Sequence, residues 1–245
     1  MGKSMIKVLA VFIMITTPYL SHSQDKDKFI LVDLVVMNEG YGQQERDAYT
    51  KKTVKIAAKY GIKKIKTYQI MNKLSGTGPD QALELNLWEM DDPSSMQKLG
   101  SDPEYQANVS FRDKIHNMQD LTLYMAKPKK VGKAIAADKY VLVDLVVLND
   151  GYGPKDRDGY SKETQRIAKK YGFRKAHSFS LVNHLAGKGP KAAMELNLWE
   201  LPDPSAMQKL GEDAAYQANV PKRNQIHNME ALTLYLARNK TNMIK

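Results

Sequence analysis

The sequence predicts an α+β fold in which two β-α-β-β-α-β units pack sheet against sheet, and three observations predict it. ALELNLWEM at Ala82 to Met90 returns as AMELNLWEL at Ala193 to Leu201, and the offset of 111 positions holds without a gap from Phe29/Tyr140 to Lys127/Arg238. Inside each copy, runs of alternating apolar residues and runs with apolar residues three or four apart follow one another, so both strand and helix periods are present. A sheet that carries its helices on one side leaves the other side bare, and the second copy is the obvious cover.

Phe29 to Met37 is β-branched and apolar, the composition of a first strand. Gly40-Tyr41-Gly42 marks a turn. From Arg46 onward Tyr49, Thr53, Ile56, Ala57 and Tyr60 recur on one helical face. Gly61 then stops the helix, since a left-handed residue costs glycine least. Lys63 to Met71 reads as the second strand, Ser75-Gly76-Thr77-Gly78-Pro79 as a loop, and ALELNLWEM as the third strand. Asp92-Pro93 and Asp102-Pro103 each offer an N-cap acceptor and a Pro at the first helical position. Two short helices are therefore expected, the second carrying Tyr105, Val109 and Arg112, before a fourth strand at Leu121 to Ala126. In the second copy Pro221 replaces Ser110 and should break that helix near Val220, because Pro removes a backbone hydrogen bond. The order is that of a ferredoxin-like unit.

The expected division is a signal peptide at 1–23, repeats at 28–127 and 140–238, a linker at 128–139 and a tail at 239–245. Lys3 and Lys7, the apolar run Val8 to Ile15, and Ser21-His22-Ser23 before Gln24 are the marks of an export leader. That run is too short to span a bilayer, and no later one is long enough, so no transmembrane segment is expected. Export places the protein in the periplasm or outside the cell. With no cysteine there is neither disulfide nor thiolate chemistry. The net charge of +10 is spread without a long basic block, which argues for a solvated surface and against a nucleic-acid partner.

Asp102-Pro103-Glu104-Tyr105-Gln106-Ala107, followed by Arg112, resembles the signature helix of domain-of-unknown-function family 1330, and Pro93-Ser94 and Lys59-Tyr60-Gly61 look like it too. That family belongs to the dimeric α+β barrel superfamily, so the resemblance implies two ferredoxin-like repeats closed into one intramolecular barrel, a monomer with an internal pseudo-dimer. The superfamily hosts monooxygenases, isomerases, peroxidases and plain binding proteins. The Gly-Tyr-Gly turn, the Ser75 to Pro79 loop and Ala214-Ala215 in place of Pro-Glu depart from the pattern.

Strand alternation sorts the side chains into faces. Leu83, Leu85 and Leu87, with Ile30, Val32, Leu34 and Val36, are assigned to the helix side, as are Leu121, Leu123 and Met125. The opposite, barrel-interior face is then expected to hold Asp33, Glu84, Asn86, Trp88 and Tyr124, with Asp144, Glu195, Asn197, Trp199 and Tyr235 from the second copy. Carboxylates crowded there would lose water and repel, raising at least one pKa, which suits acid–base work. The plain alternative is a satisfied structural network.

A second set comes from loops and helix ends: Tyr41, Arg46, Asp47, Tyr49, Tyr105, Asn108, Arg112, His116 and Asn117. Its counterparts are Tyr152, Arg157, Asp158, Tyr160, Tyr216, Asn219, Arg223, His227 and Asn228. His116 and His227 are candidate bases beside Asp33 and Asp144, and the Arg, Tyr and Asn residues candidate ligand contacts. Ordinary ion pairs and packing would account for them equally. No helix carries His or Glu at metal-ligand spacing, so no metal or other cofactor is expected. These readings favour an exported barrel that binds a small organic molecule, an anion among the candidates. The alternatives are a cofactor-independent monooxygenase or isomerase-like enzyme, and an interaction protein without ligand chemistry.

Overall fold

The computed structural model describes residues 28–137 and 139–240; the expected signal peptide and the end of the tail lie outside them. The first half contains β1 (Phe29–Val36), α1 (Gln43–Ala58), β2 (Lys63–Ser75) and β3 (Ala82–Met90). It continues with α2 (Ser94–Gly100), α3 (Pro103–Gln106), α4 (Val109–Ile115) and β4 (Thr122–Val131). The second half holds β5 (Tyr140–Val146), α5 (Pro154–Ala168), β6 (Arg174–Ala186), β7 (Glu195–Leu201), α6 (Ser205–Glu212), α7 (Ala214–Ile226) and β8 (Thr233–Asn239). All strand pairings are antiparallel, and they close an eight-stranded barrel in the order β1-β3-β2-β8-β5-β7-β6-β4. Among the described residues, no helix is long and apolar enough to cross a membrane.

The closed barrel corrects the assignment of faces. Ile30, Val32, Leu34, Leu85 and Leu87 do not meet the helices; with Tyr68, Tyr124, Tyr235 and their second-half counterparts they fill the barrel. The register agrees, because Val32 pairs with both Leu87 and Tyr124, and residues directly opposite share a face. Trp88 instead packs with Ala57 of α1 outside the barrel, beside Met125 on the side expected for it, and Trp199 packs with Ala168 of α5. Glu84, Asn86, Glu195 and Asn197 belong to that outer, helix-covered face with Asp33 and Asp144. The physical reason is desolvation. A closed barrel of this size is dry on every side, whereas a polar row under a helix can be met by the helix's own cations.

The end of β4 and the continuity of the last helix in each half differ from expectation, and β2 runs on to Ser75. Residues 128–131 continue β4 rather than starting a linker, and Ile135 turns into the barrel core, buried to 2% exposure. Asn239 donates to the carbonyls of Ile135 and Ala136 (2.7 and 2.8 Å), which fixes that plug. The break in the last helix falls in the first half instead of the second. There the Asn108 side chain takes the Glu104 carbonyl (2.8 Å), competing with the helix's own bonding. Asn219 points instead to Thr164 (3.2 Å), and α7 runs through Pro221, which sits on an exposed face where its lost bond can be made to water.

The β2–β3 loop of each half grips the other half. Gly78 N–H donates to Thr233 Oγ1 (2.9 Å) and Tyr235 O–H to the Pro79 carbonyl (3.0 Å). Gly189 and Thr122 (2.8 Å), with Tyr124 and Pro190 (3.0 Å), repeat the clasp. Gly187 has φ +90°, and a Cβ there would stand 1.4 Å from the Leu121 carbonyl oxygen, so only glycine permits this approach.

Candidate functional site

Arg46 sits one helical turn before Tyr49, on the same row as Thr53, Ile56 and Ala57, and so α1 aims it at the sheet. It is 4% exposed. Its Nε donates to Glu84 (2.7 Å), one Nη to Asp33 (3.1 Å), and the other faces His116 Nε2 at 3.2 Å. Asn86 donates to Glu84 (2.9 Å) and Asp33 (3.3 Å), and Trp88 Nε1 approaches Asp33 at 3.4 Å. His116 Nδ1 lies 3.0 Å from the Arg112 carbonyl, which requires a proton on Nδ1 and leaves the Nε2 lone pair facing Arg46. The two carboxylates share a cation instead of repelling each other, and the network is closed.

Burial pushes the Glu84 carboxyl up, but Arg46 and Lys64 outweigh it and hold it down at about 2, the reverse of the rise expected from crowded acids. Burial, then the Arg46 charge, lowers His116 to about 4. Burial brings Lys64, beside Glu84 and the Trp88 ring, down to about 8. Acid therefore weakens the fold. Between pH 6.5 and 4 the unfolded chain binds a proton at His116 that the folded chain refuses, so stability falls as pH falls. Glu84, and Glu195 likewise held at about 2, add a loss below pH 4.5. Each shift of this size is worth about 3 kcal/mol. The expected melting temperature drops continuously from pH 6.5 to 4; a rise over that range would refute the assignment.

The second half repeats the residues and not the network. Arg157, also 4% exposed, donates through Nη1 to Glu195 (2.9 Å), while its Nε has no protein partner. Glu195 is further neutralised by Lys129 of β4 (2.8 Å) and Lys175 (3.2 Å), and Ser178 donates to it (3.1 Å). Asp144 keeps one bond, from Asn197 (3.0 Å), and its Oδ1 is buried without a partner. His227 Nδ1 lies 3.1 Å from the Arg223 carbonyl, and burial lowers its pKa.

Beside these atoms lies a cavity of about 140 Å³ between the sheet and α5, α6 and α7. Asp144, Arg157, Tyr160, Ser161, Tyr216, Arg223 and His227 line it with Phe173, Trp199 and the leucines 142, 210, 232 and 234. Two residues beside it or in its lining differ from their first-half counterparts. Phe111, whose ring lies 6.5 Å from that of Tyr49, is replaced by the exposed Lys222, and Thr50 by the smaller Ser161. An engineered apolar cavity of about 150 Å³ takes benzene, so this one is the size of a single ring.

The other expected site residues lie elsewhere or serve structure. Tyr41 lines a separate hollow with Asn38, Glu39 and Gln81, which gathers no Arg or His. Tyr152 is not among the residues around the cavity. Tyr105 O–H accepts from Arg112 (3.3 Å), which also bonds Asp113 (2.8 Å). Asn117 and Asn228 brace the turns before β4 and β8, Asn117 accepting from Asp120 N–H (3.1 Å) and Asn228 from Ala231 N–H (3.1 Å). Asp47 and Asp158 meet Lys240 (3.4 Å) and Lys129 (3.6 Å), each from the other half. The Asp102-Pro103-Glu104-Tyr105 motif is a cap: Asp102 accepts from Tyr105 N–H (2.9 Å) and Tyr60 O–H (2.7 Å). Among the described residues no cluster of His, Asp and Glu could hold a metal ion. Sequence reasoning missed Lys64, Lys175 and Lys129 as partners of the buried glutamates; Lys64 and Lys175, one residue after a strand start, pair with Trp88 and Trp199 and so share their face.

No family model and no curated protein matches the chain. Solved structures do. An anthrone oxidase-like protein superposes with a TM-score of 0.53 at 12% identity, over 90% of this chain and 96% of its own. A chlorite dismutase variant from Candidatus Nitrospira defluvii gives 0.54 at 13% identity, over 87% and 92%. At such identities the likeness is one of architecture, a mixed α+β fold around an eight-stranded antiparallel barrel.

Proposed function

We propose that this chain is an exported small-molecule-binding protein with one working site, the cavity under α5 and α7. The observation that carries the reading is the asymmetry between halves: the same Arg, Asp and His are locked together in the first and part around a ring-sized cavity in the second. Apolar walls with a few convergent polar groups are the usual make-up of a ligand pocket. A tandem duplication of a family-1330-like, ferredoxin-like unit, with repeats at 28–127 and 140–238, would give a monomer with an internal pseudo-dimer in which one copy kept a site. Export rests on the leader at residues 1–23, and the N-terminal residue of the mature protein tests it. The binding itself is tested by thermal shift with toluene and small aromatic acids. A ligand at a hundred times its Kd adds about 2.7 kcal/mol, and Ser161→Leu, which fills the cavity, abolishes the shift. No shift with any compound, or an undiminished shift in Ser161→Leu, overturns the reading.

The enzyme alternative has one observation in its favour, that Asp144 and His227 both border the cavity. It assigns proton abstraction from a bound ring compound to one of them, as in a monooxygenase or isomerase. The names of the architectural neighbours point the same way without deciding it. Turnover lost in His227→Ala with folding intact would favour this alternative, and turnover unchanged would exclude that base.

A further inference from the structure

The cavity is lined by polar groups at two depths, the deeply buried Arg157 and the half-buried Arg223, together with apolar side chains. At the inner end, Arg157 Nε is a donor and Asp144 Oδ1 an acceptor, both buried and both without protein partners. In the first half Arg46 Nε donates to Glu84 (2.7 Å) and an Nη of the same arginine to Asp33 (3.1 Å), whereas in the second half Arg157 Nε has no partner and the arginine–aspartate bond is missing. Buried polar groups left this way cost free energy until something bonds them. A hydroxyl can donate to Asp144 and accept from Arg157 at once. At the outer end stands Arg223, half-buried. Its first-half counterpart Arg112 is neutralised by Asp113, but Arg223 meets the neutral Asn224 (3.0 Å) and Tyr216 O–H (3.1 Å). It retains a full charge and spare donors in a fork that suits a carboxylate. Phe173, Trp199 and the leucines supply flat, apolar walls between the ends.

Resting on the ligand-binding reading above, we propose that the site takes a hydroxylated aromatic carboxylate. Its hydroxyl enters first to meet Asp144 and Arg157, its ring lies between Trp199 and Phe173, and its carboxylate stops at Arg223. A plain anion entering inner end first would face Asp144, which sets the orientation.

Calorimetric titration of the full mature chain with para-hydroxybenzoate, benzoate, phenol and toluene tests this. para-Hydroxybenzoate should bind at least tenfold more tightly than either benzoate or phenol. In Asp144→Leu its advantage over benzoate should vanish, and in Arg223→Met its advantage over phenol, each variant keeping the native melting curve to within a few degrees. Benzoate binding as tightly as para-hydroxybenzoate removes the inner contact, and phenol doing so removes the outer one; either overturns the proposal and leaves the cavity reading standing. Toluene alone binding overturns it in the same way. If none of the four binds, the proposal and the binding reading fall together.

Discussion

Arg46→Met should destabilise the protein by about 3–5 kcal/mol, the cost of leaving buried acids without their cation. Glu84 is 1% exposed, and apart from Arg46 its nearest cation is Lys64 at 3.8 Å. Asp33 would lose its closest donor and His116 the group facing its ring nitrogen. The matching change Arg157→Met should cost only about 1–2 kcal/mol, because Lys129 and Lys175 remain on Glu195 and Asp144 has no bond from Arg157 to lose. Urea unfolding of the two variants measures the difference directly. Equal losses would mean that the halves are held in the same way, against the geometry described above.

Gly187→Ala should do more damage than any other single methyl addition to the fold. The new Cβ would overlap the Leu121 carbonyl oxygen at 1.4 Å, and the backbone at φ +90° already disfavours a side chain. Gly151 supplies the control, with φ +84° and no atom within 4 Å of a built Cβ. Gly151→Ala isolates the backbone strain, about 1–2 kcal/mol. Gly187→Ala must add the cost of prying the loop from β4, and a total above about 4 kcal/mol is expected, enough to unfold many domains of this size. Chemical denaturation of both proteins checks it; losses within 1 kcal/mol of each other would show that the clasp yields easily.

The strand and helix order and the mixed α+β class could be read from residue periods, because alternation and three-to-four spacing are local properties. Which side of the sheet is the inside could not. Ile30, Val32 and Leu34 share a face by alternation, but alternation is silent on whether that face meets a helix or another sheet. The clue lay in α1, where Arg46 continues the row of Tyr49, Thr53 and Ile56. An arginine on the buried stripe of a helix needs an acid opposite, and Asp33 and Glu84 were the acids to hand. The cavity was less legible still. Its lining differs from the first half at Ser161 for Thr50 and Phe173 for Ile62, two changes among many between the copies. What distinguishes them is that they line one cavity beside an arginine that has let go of its aspartate. Pro221 misled for a related reason: a helix tolerates the missing bond on its wet side, and Asn108 breaks the other copy without any proline.

The circular order of strands has a kinetic consequence. β2 waits for β8, and β4 for β6, so neither half can finish its own sheet. β8 is the last strand made, and until it arrives β2 offers an unpaired edge to whatever is near. Pairing across so much intervening chain makes assembly slow. Two incompletely made molecules could satisfy the same edges by exchanging halves, and the covalent tether between β4 and β5 is what makes the partner within the same molecule arrive first.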